Sequence, residues 1–219
     1  VGLMFSIMRN IHLANDSTHQ GKWEKPKFIG TELKGKTLGI VGYGNIGQRV
    51  AEICSTIGMK IITNSKSASD DDLSKFDVKK VSTEDLIKEA DIISLHTKLN
   101  DETKYMINKE TISTMKPTSV IINCARGGLI NEEALIENLN NGKIRGAGLD
   151  VIESSTDKTN DLFSFDNVII TPHTAFFSQE SSEELQLRSS MQLYDVLTGS
   201  KPKFLINPEV LNHPSVELK

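Results

Sequence analysis

The chain has 219 residues and a net charge of −4, with a pI of about 5.8. It is long enough to bury a substantial core, and it lacks the basic footprint that nucleic acid or an anionic membrane attracts. No apolar run reaches the ~20 residues of a membrane span, nothing reads as a secretory signal, and Cys54 and Cys124 are too few for a disulfide framework. A cytoplasmic, soluble α/β protein is expected.

Leu3, Met4, Ile7, Met8 and Ile11 recur at helical spacing from the first residues onward. Because the chain opens at Val1 inside this pattern, without a polar cap, its N-terminal part is expected to be missing. A polar stretch, Asn15 to Pro26, follows and contains Trp23. Thr37–Val41 reads as a strand, then Ile46 to Ile57 as a helix with Ile46, Val50, Ile53, Cys54 and Ile57 on one face. Ile61–Thr63 is the second strand, and Asn64–Lys75 reads as polar loop. Ser82 to Asp85 has capping-box spacing ahead of Leu86, Ile87 and Ala90. The runs 91–96 and 119–123 are nearly all apolar, as strands buried on both faces of a parallel sheet are. Asn131 caps a helix that stops near Asn140, with Gly142 just beyond. Short strands follow at Ala147–Val151 and Val168–Thr171, and a long helix runs from Ser178 to about Leu197 before Gly199. Alternating strand and helix signals predict a doubly wound parallel sheet of the Rossmann type.

Ligands of such sheets bind at the carboxyl ends of the strands. After the first strand comes Gly42-Tyr43-Gly44-Asn45-Ile46-Gly47, placed between strand and helix as a nucleotide pyrophosphate loop must be. After the second comes Asn64-Ser65-Lys66, with no acid where an NAD site offers one to the ribose, about twenty residues on. That turn either accepts the 2′-phosphate of NADP or is a solvated loop. Arg126, followed by Gly127 and Gly128, can fork onto a carboxylate. Asp150 either caps a helix or orients the cofactor. His173, held by Pro172, suits a general acid/base. Taken singly, the arginine and the histidine read more readily as structural residues; their sharing one sheet edge is what singles them out.

With these motifs assembled, the chain resembles the D-isomer-specific 2-hydroxyacid dehydrogenase family. The likeness covers nearly the whole chain and runs through 35–47, 90–97, 122–130, 148–151 and 171–175 in order. The resemblance implies hydride transfer between NAD or NADP and a small 2-oxoacid of the glyoxylate, hydroxypyruvate or pyruvate class. Arg126 would bind the carboxylate, His173 would donate the proton, and Asp150 would help seat the nicotinamide. Gly42 to Gly47, His96, Thr97, Cys124, Ala125, His173 and Ala175 would line the cofactor, together with Asn64, Ser65 and Lys66. No metal is implied. Residues 1–174 would form the dinucleotide-binding domain, with the first helix and 14–34 a dimerisation arm of a homodimer, and 175–219 would return to a substrate domain built mostly from residues before Val1. Two departures stand out. Ser155 occupies the place of the glutamate that pairs with the histidine, with Glu153 or Asp157 as candidate substitutes, and Lys98 replaces a usual proline. Ser155 keeps open a second reading, a dinucleotide-sensing binding protein like the corepressor relatives of the family. A different nucleotide-binding protein, such as a methyltransferase, fits the arginine and histidine motifs poorly.

Overall fold

The computed structural model describes residues 1–153 and 160–213 and divides into two compact units, Val1–His173 and Thr174–Lys219. The first unit opens with α1 (Gly2–Met8) and α2 (Ile11–His19), then β1 (Thr37–Val41), α3 (Asn45–Thr56) and β2 (Lys60–Thr63). α4 (Asp70–Ser74), β3 (Lys79–Lys80), α5 (Thr83–Glu89) and β4 (Ile92–Leu95) follow. The unit continues through α6 (Lys109–Thr114), β5 (Val120–Asn123), α7 (Glu132–Asn140), β6 (Gly146–Leu149) and β7 (Val168–Ile170). The second unit holds α8 (Gln179–Leu197), capped by Ser178, whose hydroxyl accepts from the Ser181 N–H.

Among the described residues the seven strands form one sheet in the order β3-β2-β1-β4-β5-β6-β7, and all pairings are parallel. Every residue of β4, β5 and β6 is buried, because helices cover both faces. One core layer joins Met4, Ile7 and Met8 of α1 to Ala51 and Cys54 of α3. The other joins Leu86 and Ile87 of α5 to Ile112 of α6 and Leu135 of α7. Strand order reverses between β1 and β4, so the chain leaves these neighbours toward opposite faces and opens a crevice at their carboxyl ends.

Three expectations need correction, and one strand went unread. The first helical pattern is not one helix: Asn10, in the left-handed region at φ 52°, breaks it, and α2 then continues into the polar stretch as far as His19. Of the face expected for α3, Cys54 is buried and Val50 and Ile57 pack against the same core, but Ile46 is 68% and Ile53 37% exposed, and Gly47 and Ala51 complete the buried side. Asn64–Lys75 contains α4, whose cap is the Ser69 hydroxyl accepting from the Asp72 N–H. The two-residue strand β3, two exposed lysines, has no apolar signal to read. The helix caps at Ser82, Asn131 and Ser178 stand where the sequence places them.

At the far edge β6 is pressed onto the turn before β7. A Cβ at Gly146 would lie 2.2 Å from the Asn167 carbonyl oxygen, while the Asn167 amide donates to the Arg145 carbonyl at 2.8 Å. Gly146→Ala is therefore expected to cost about 1–3 kcal/mol by overpacking, read as a lower midpoint in urea unfolding; an unchanged midpoint would mean that β7 yields freely.

Candidate functional site

The glycine loop divides its work unevenly. Gly42 is left-handed at φ +90°, and a Cβ there would meet the His96 carbonyl at 2.7 Å; a Cβ at Gly47 would lie 2.3 Å from the Gly42 oxygen. Both glycines are needed for β1, α3 and β4 to approach each other. Gly44 differs, because nothing lies within 4 Å of its Cβ position. That open face, at the N-terminus of the twelve-residue helix α3, is where a phosphate can come close to free backbone N–H groups. Tyr43 is almost fully buried, its hydroxyl has no hydrogen-bond partner among the described residues, and burial followed by Asp72 raises its pKa.

Beside the loop a cavity of about 530 Å³ reaches from Gly42 and Gly44 to Asn64, Ser65, Lys66 and Ser67. The Asn64 amide donates to Thr83 Oγ1 at 2.9 Å, the Ser65 N–H donates to Thr63 Oγ1 at 3.3 Å, and the Ser65 and Ser67 hydroxyls meet at 3.3 Å. Lys80 Nζ, from the neighbouring strand β3, donates to the Lys66 carbonyl at 3.3 Å. Two lysines and two hydroxyls thus surround the turn; along the segment itself the acids begin only at Asp70, while Glu102 stands elsewhere on the cavity wall.

A second cavity, of about 600 Å³, is lined by Ile46, His96, Thr97, Cys124, Ala125 and Arg126 among others. The exposure of Ile46 is explained here, since its side chain belongs to a cavity wall and not to the core. His96 sits at the end of β4, with its ring Nε2 2.8 Å from Ser94 Oγ. Burial lowers its pKa to about 4, which keeps the imidazole neutral at physiological pH. Cys124 has its pKa raised by burial and then by Asp150, so it stands as a thiol.

Arg126 is held through its main chain. Asn123 is fully buried; its amide donates to the Arg126 carbonyl at 2.8 Å, and its Oδ1 accepts the Ala125 N–H at 3.0 Å. The Arg126 side chain is exposed, with Nη1 donating to the Ala125 carbonyl at 2.6 Å. One strand over, the Asp150 N–H donates to the Asn123 carbonyl at 2.8 Å. The Asp150 carboxylate, 1% exposed, accepts from Thr171 Oγ1 at 2.5 Å. The Asp150 carbonyl accepts the His173 N–H at 2.9 Å. His173 is left-handed at φ 54°, a conformation that costs about 1 kcal/mol or more for a residue with a side chain.

All the expected site residues of the first unit stand at the carboxyl edge of the sheet, but they do not share one cavity. His173 and Asp150 line a third cavity, of about 580 Å³, with Phe163 and Pro172, whereas Arg126 belongs to the second. Ala175 lies in the second unit. Ser155 and Asp157 lie outside the described residues, and Glu153 is engaged elsewhere: its hydrogen bond to the Tyr105 hydroxyl is the main cause of a raised tyrosine pKa. Sequence reasoning missed Ser94 and Thr171, the partners of His96 and Asp150; each lies within two residues of a strand end and inside a family motif, but nothing in the sequence marked it as a partner. No cluster of His, Cys, Asp and Glu able to hold a metal occurs among the described residues, and no helix among them is long and apolar enough to cross a membrane.

Comparison with known proteins gives the same arrangement a family. Residues 1–175 match the model of the D-isomer-specific 2-hydroxyacid dehydrogenase NAD-binding domain. The chain is 44% identical over 198 residues to the hydroxypyruvate reductase of Thermotoga maritima, covering 89% of this chain and 62% of that one. It is 40% identical over 208 residues to the D-3-phosphoglycerate dehydrogenase of Methanocaldococcus jannaschii, covering 94% of this chain and 40% of the relative. The chain thus spans about two fifths to three fifths of the length of these curated relatives. Among solved structures, D-lactate dehydrogenase with NAD+ from Lactobacillus jensenii matches with a TM-score of 0.84 at 30% identity, covering 94% of this chain and 66% of that chain.

Two outcomes follow from the geometry. Gly44→Ala should leave stability within about 1 kcal/mol of wild type yet weaken nucleotide binding, whereas Gly47→Ala should lose about 1–3 kcal/mol. Thermal melts and nucleotide titrations of both variants would expose a reversed pattern. The second outcome concerns pH. A histidine pKa held below its unfolded value near 6.5 contributes stability that is fully present above pH 6.5 and is lost as the pH falls toward 4. For His96 the loss is on the order of 3 kcal/mol. Asp91 titrates in a more acid range: its partial burial opposes ionisation, but the Thr37 N–H and Lys116 bring its pKa below the usual value. Urea unfolding between pH 7 and 4.5 should therefore show a slope that His96→Asn flattens.

Proposed function

The chain belongs to the D-isomer-specific 2-hydroxyacid dehydrogenase family, and from this we propose that it serves an NAD(P)-dependent oxidoreductase that interconverts small 2-oxoacids and D-2-hydroxyacids. The observation that carries this reading is the hydrogen-bonded run Asn123–Asp150–His173 beside an open Gly44. That run ties the Arg126 turn and the histidine to one edge next to a loop that only a phosphate-bearing ligand would need.

The residues fit the cofactor: Gly44 leaves room, α3 points its N-terminus there, and the two cavities at the end of β4 suit a two-part ligand. Bound nicotinamide supplies or accepts the hydride. Arg126 forks two N–H groups onto the substrate carboxylate and draws electron density from the adjacent carbonyl. His173 donates a proton to the forming alkoxide and recovers it in the reverse direction. Asp150, fixed by Thr171, orients the nicotinamide. Cys124 and Ala125 bound the nicotinamide side and His96 and Thr97 the middle of the ligand.

Asn64, Ser65 and Lys66 support acceptance of NADPH, because a 2′-phosphate finds hydroxyls and a lysine there and the turn itself carries no carboxylate. Glyoxylate, hydroxypyruvate and pyruvate are the proposed substrate class. Residues 14–34, with Trp23 87% and Ile29 82% exposed, support a homodimer formed through this arm. Residues 175–219 are proposed to belong with a substrate-binding part of the protein.

The test follows NADH and NADPH absorbance in the intact protein with a panel of 2-oxoacids. Oxidation of either is expected, and His173→Asn, which tolerates the left-handed backbone, should lose about 10²–10⁴-fold in kcat. An NADPH to NADH efficiency ratio well below one removes the 2′-phosphate assignment. Tight nucleotide binding without turnover would favour the dinucleotide-sensing reading that Ser155 leaves open.

A further inference from the structure

The two cavities flanking the end of β4 have three lining residues in common: His96, Thr97 and Lys98. A dinucleotide placed with its adenosine half toward Asn64–Ser67 and its nicotinamide half toward Arg126 must pass its diphosphate across that seam. This step rests on the nucleotide-binding reading of the site.

The diphosphate carries two negative charges, and the loop that would receive it is electrically bare. The first turn of α3 is Asn45, Ile46, Gly47 and Gln48, with no cation, and the next residue, Arg49, is paired with Glu52. His96 is neutral. Backbone N–H groups at the helix start supply partial charge only. Lys66, the other lysine of the first cavity, lies at the ribose end beside Ser65 and Ser67. The remaining charged group there is the carboxylate of Glu102, which repels a phosphate.

Lys98 makes no ion pair with any described residue, so its ammonium is available to a ligand. Its backbone is nevertheless fixed. The Lys98 carbonyl accepts from Thr103 Oγ1 at 2.7 Å, the Asn100 N–H donates to that same hydroxyl at 2.9 Å, and the Thr103 N–H donates to Asn100 Oδ1 at 3.0 Å. This knot supplies the stiffness that a proline would give, and leaves the position free to carry a charge.

We propose that Lys98 is a cofactor-binding residue whose ammonium neutralises the dinucleotide diphosphate where it crosses from one cavity to the other. The position therefore contributes to cofactor affinity and not to the choice of 2-oxoacid.

The test compares ADP with adenosine as ligands of the intact protein, by calorimetric titration at low and moderate salt. For Lys98→Ala, ADP affinity should fall about tenfold, the worth of one charged hydrogen bond, while adenosine affinity stays unchanged. The salt dependence of ADP binding should become shallower, and Lys98→Arg should retain most of the affinity. Unchanged adenosine binding also reports that the variant is folded. Equal ADP binding by wild type and Lys98→Ala overturns the proposal, as does a loss confined to the KM for the 2-oxoacid, which would assign the lysine to substrate. Failure of the wild-type protein to bind ADP would instead overturn the nucleotide reading of the site, and this proposal with it.

Discussion

The structure depends on one close approach, that of α3 to the turn leaving β1. With only 2.3 Å between the Gly47 Cβ position and the Gly42 oxygen, no side chain fits, and the helix start is drawn in against the strand end. The same approach sets the distance to β4, since the Gly42 Cβ position faces the His96 carbonyl. Strand order reverses between these two strands, so the tight turn lies at the bottom of the crevice that the topology opens. A helix terminus, a free loop face at Gly44 and two cavities converge there because the backbone has been brought close enough for them to meet.

How much of this was legible depends on the kind of signal. The strands β1, β4 and β5 are short apolar runs between turn residues, and their burial on both faces makes that pattern unambiguous. The caps at Ser82, Asn131 and Ser178 were legible because a side-chain oxygen satisfying a free N–H is a local event. Ile46 was misread because apolar spacing cannot distinguish a wall of the core from a wall of a ligand cavity. Asn10 was missed because a left-handed break carried by an asparagine leaves no interruption in the apolar spacing. β3 escaped because two exposed lysines owe their strand state to pairing with β2 alone.

The site shows a parallel division. The residues proposed to face a ligand, Arg126 and His173, lie in recognisable motifs, and the residues that hold them lie in the same runs without standing out there. Asn123 closes the Arg126 turn from inside the sheet, and Thr171 fixes the Asp150 carboxylate from the next strand. These partners are polar residues at buried positions, where an unsatisfied group costs about 1–3 kcal/mol. Their placement is therefore constrained as tightly as that of an apolar core residue, although single-sequence patterning gives them no weight.

Asp150 joins these parts. Its N–H is committed to Asn123 and its carbonyl to His173, so the ends of three adjacent strands are held in one register. The left-handed conformation of His173 is compatible with that arrangement because its N–H is donated to both the Asp150 and the Thr171 carbonyls. Strain at the histidine is thus offset by bonds that also support the arginine turn, and a shift at either place is resisted at the other. A substrate that must bridge a carboxylate fork and a proton donor requires a fixed separation between them. In this chain the backbone positions proposed for those two roles, Arg126 and His173, are held relative to one another by β5, β6 and β7.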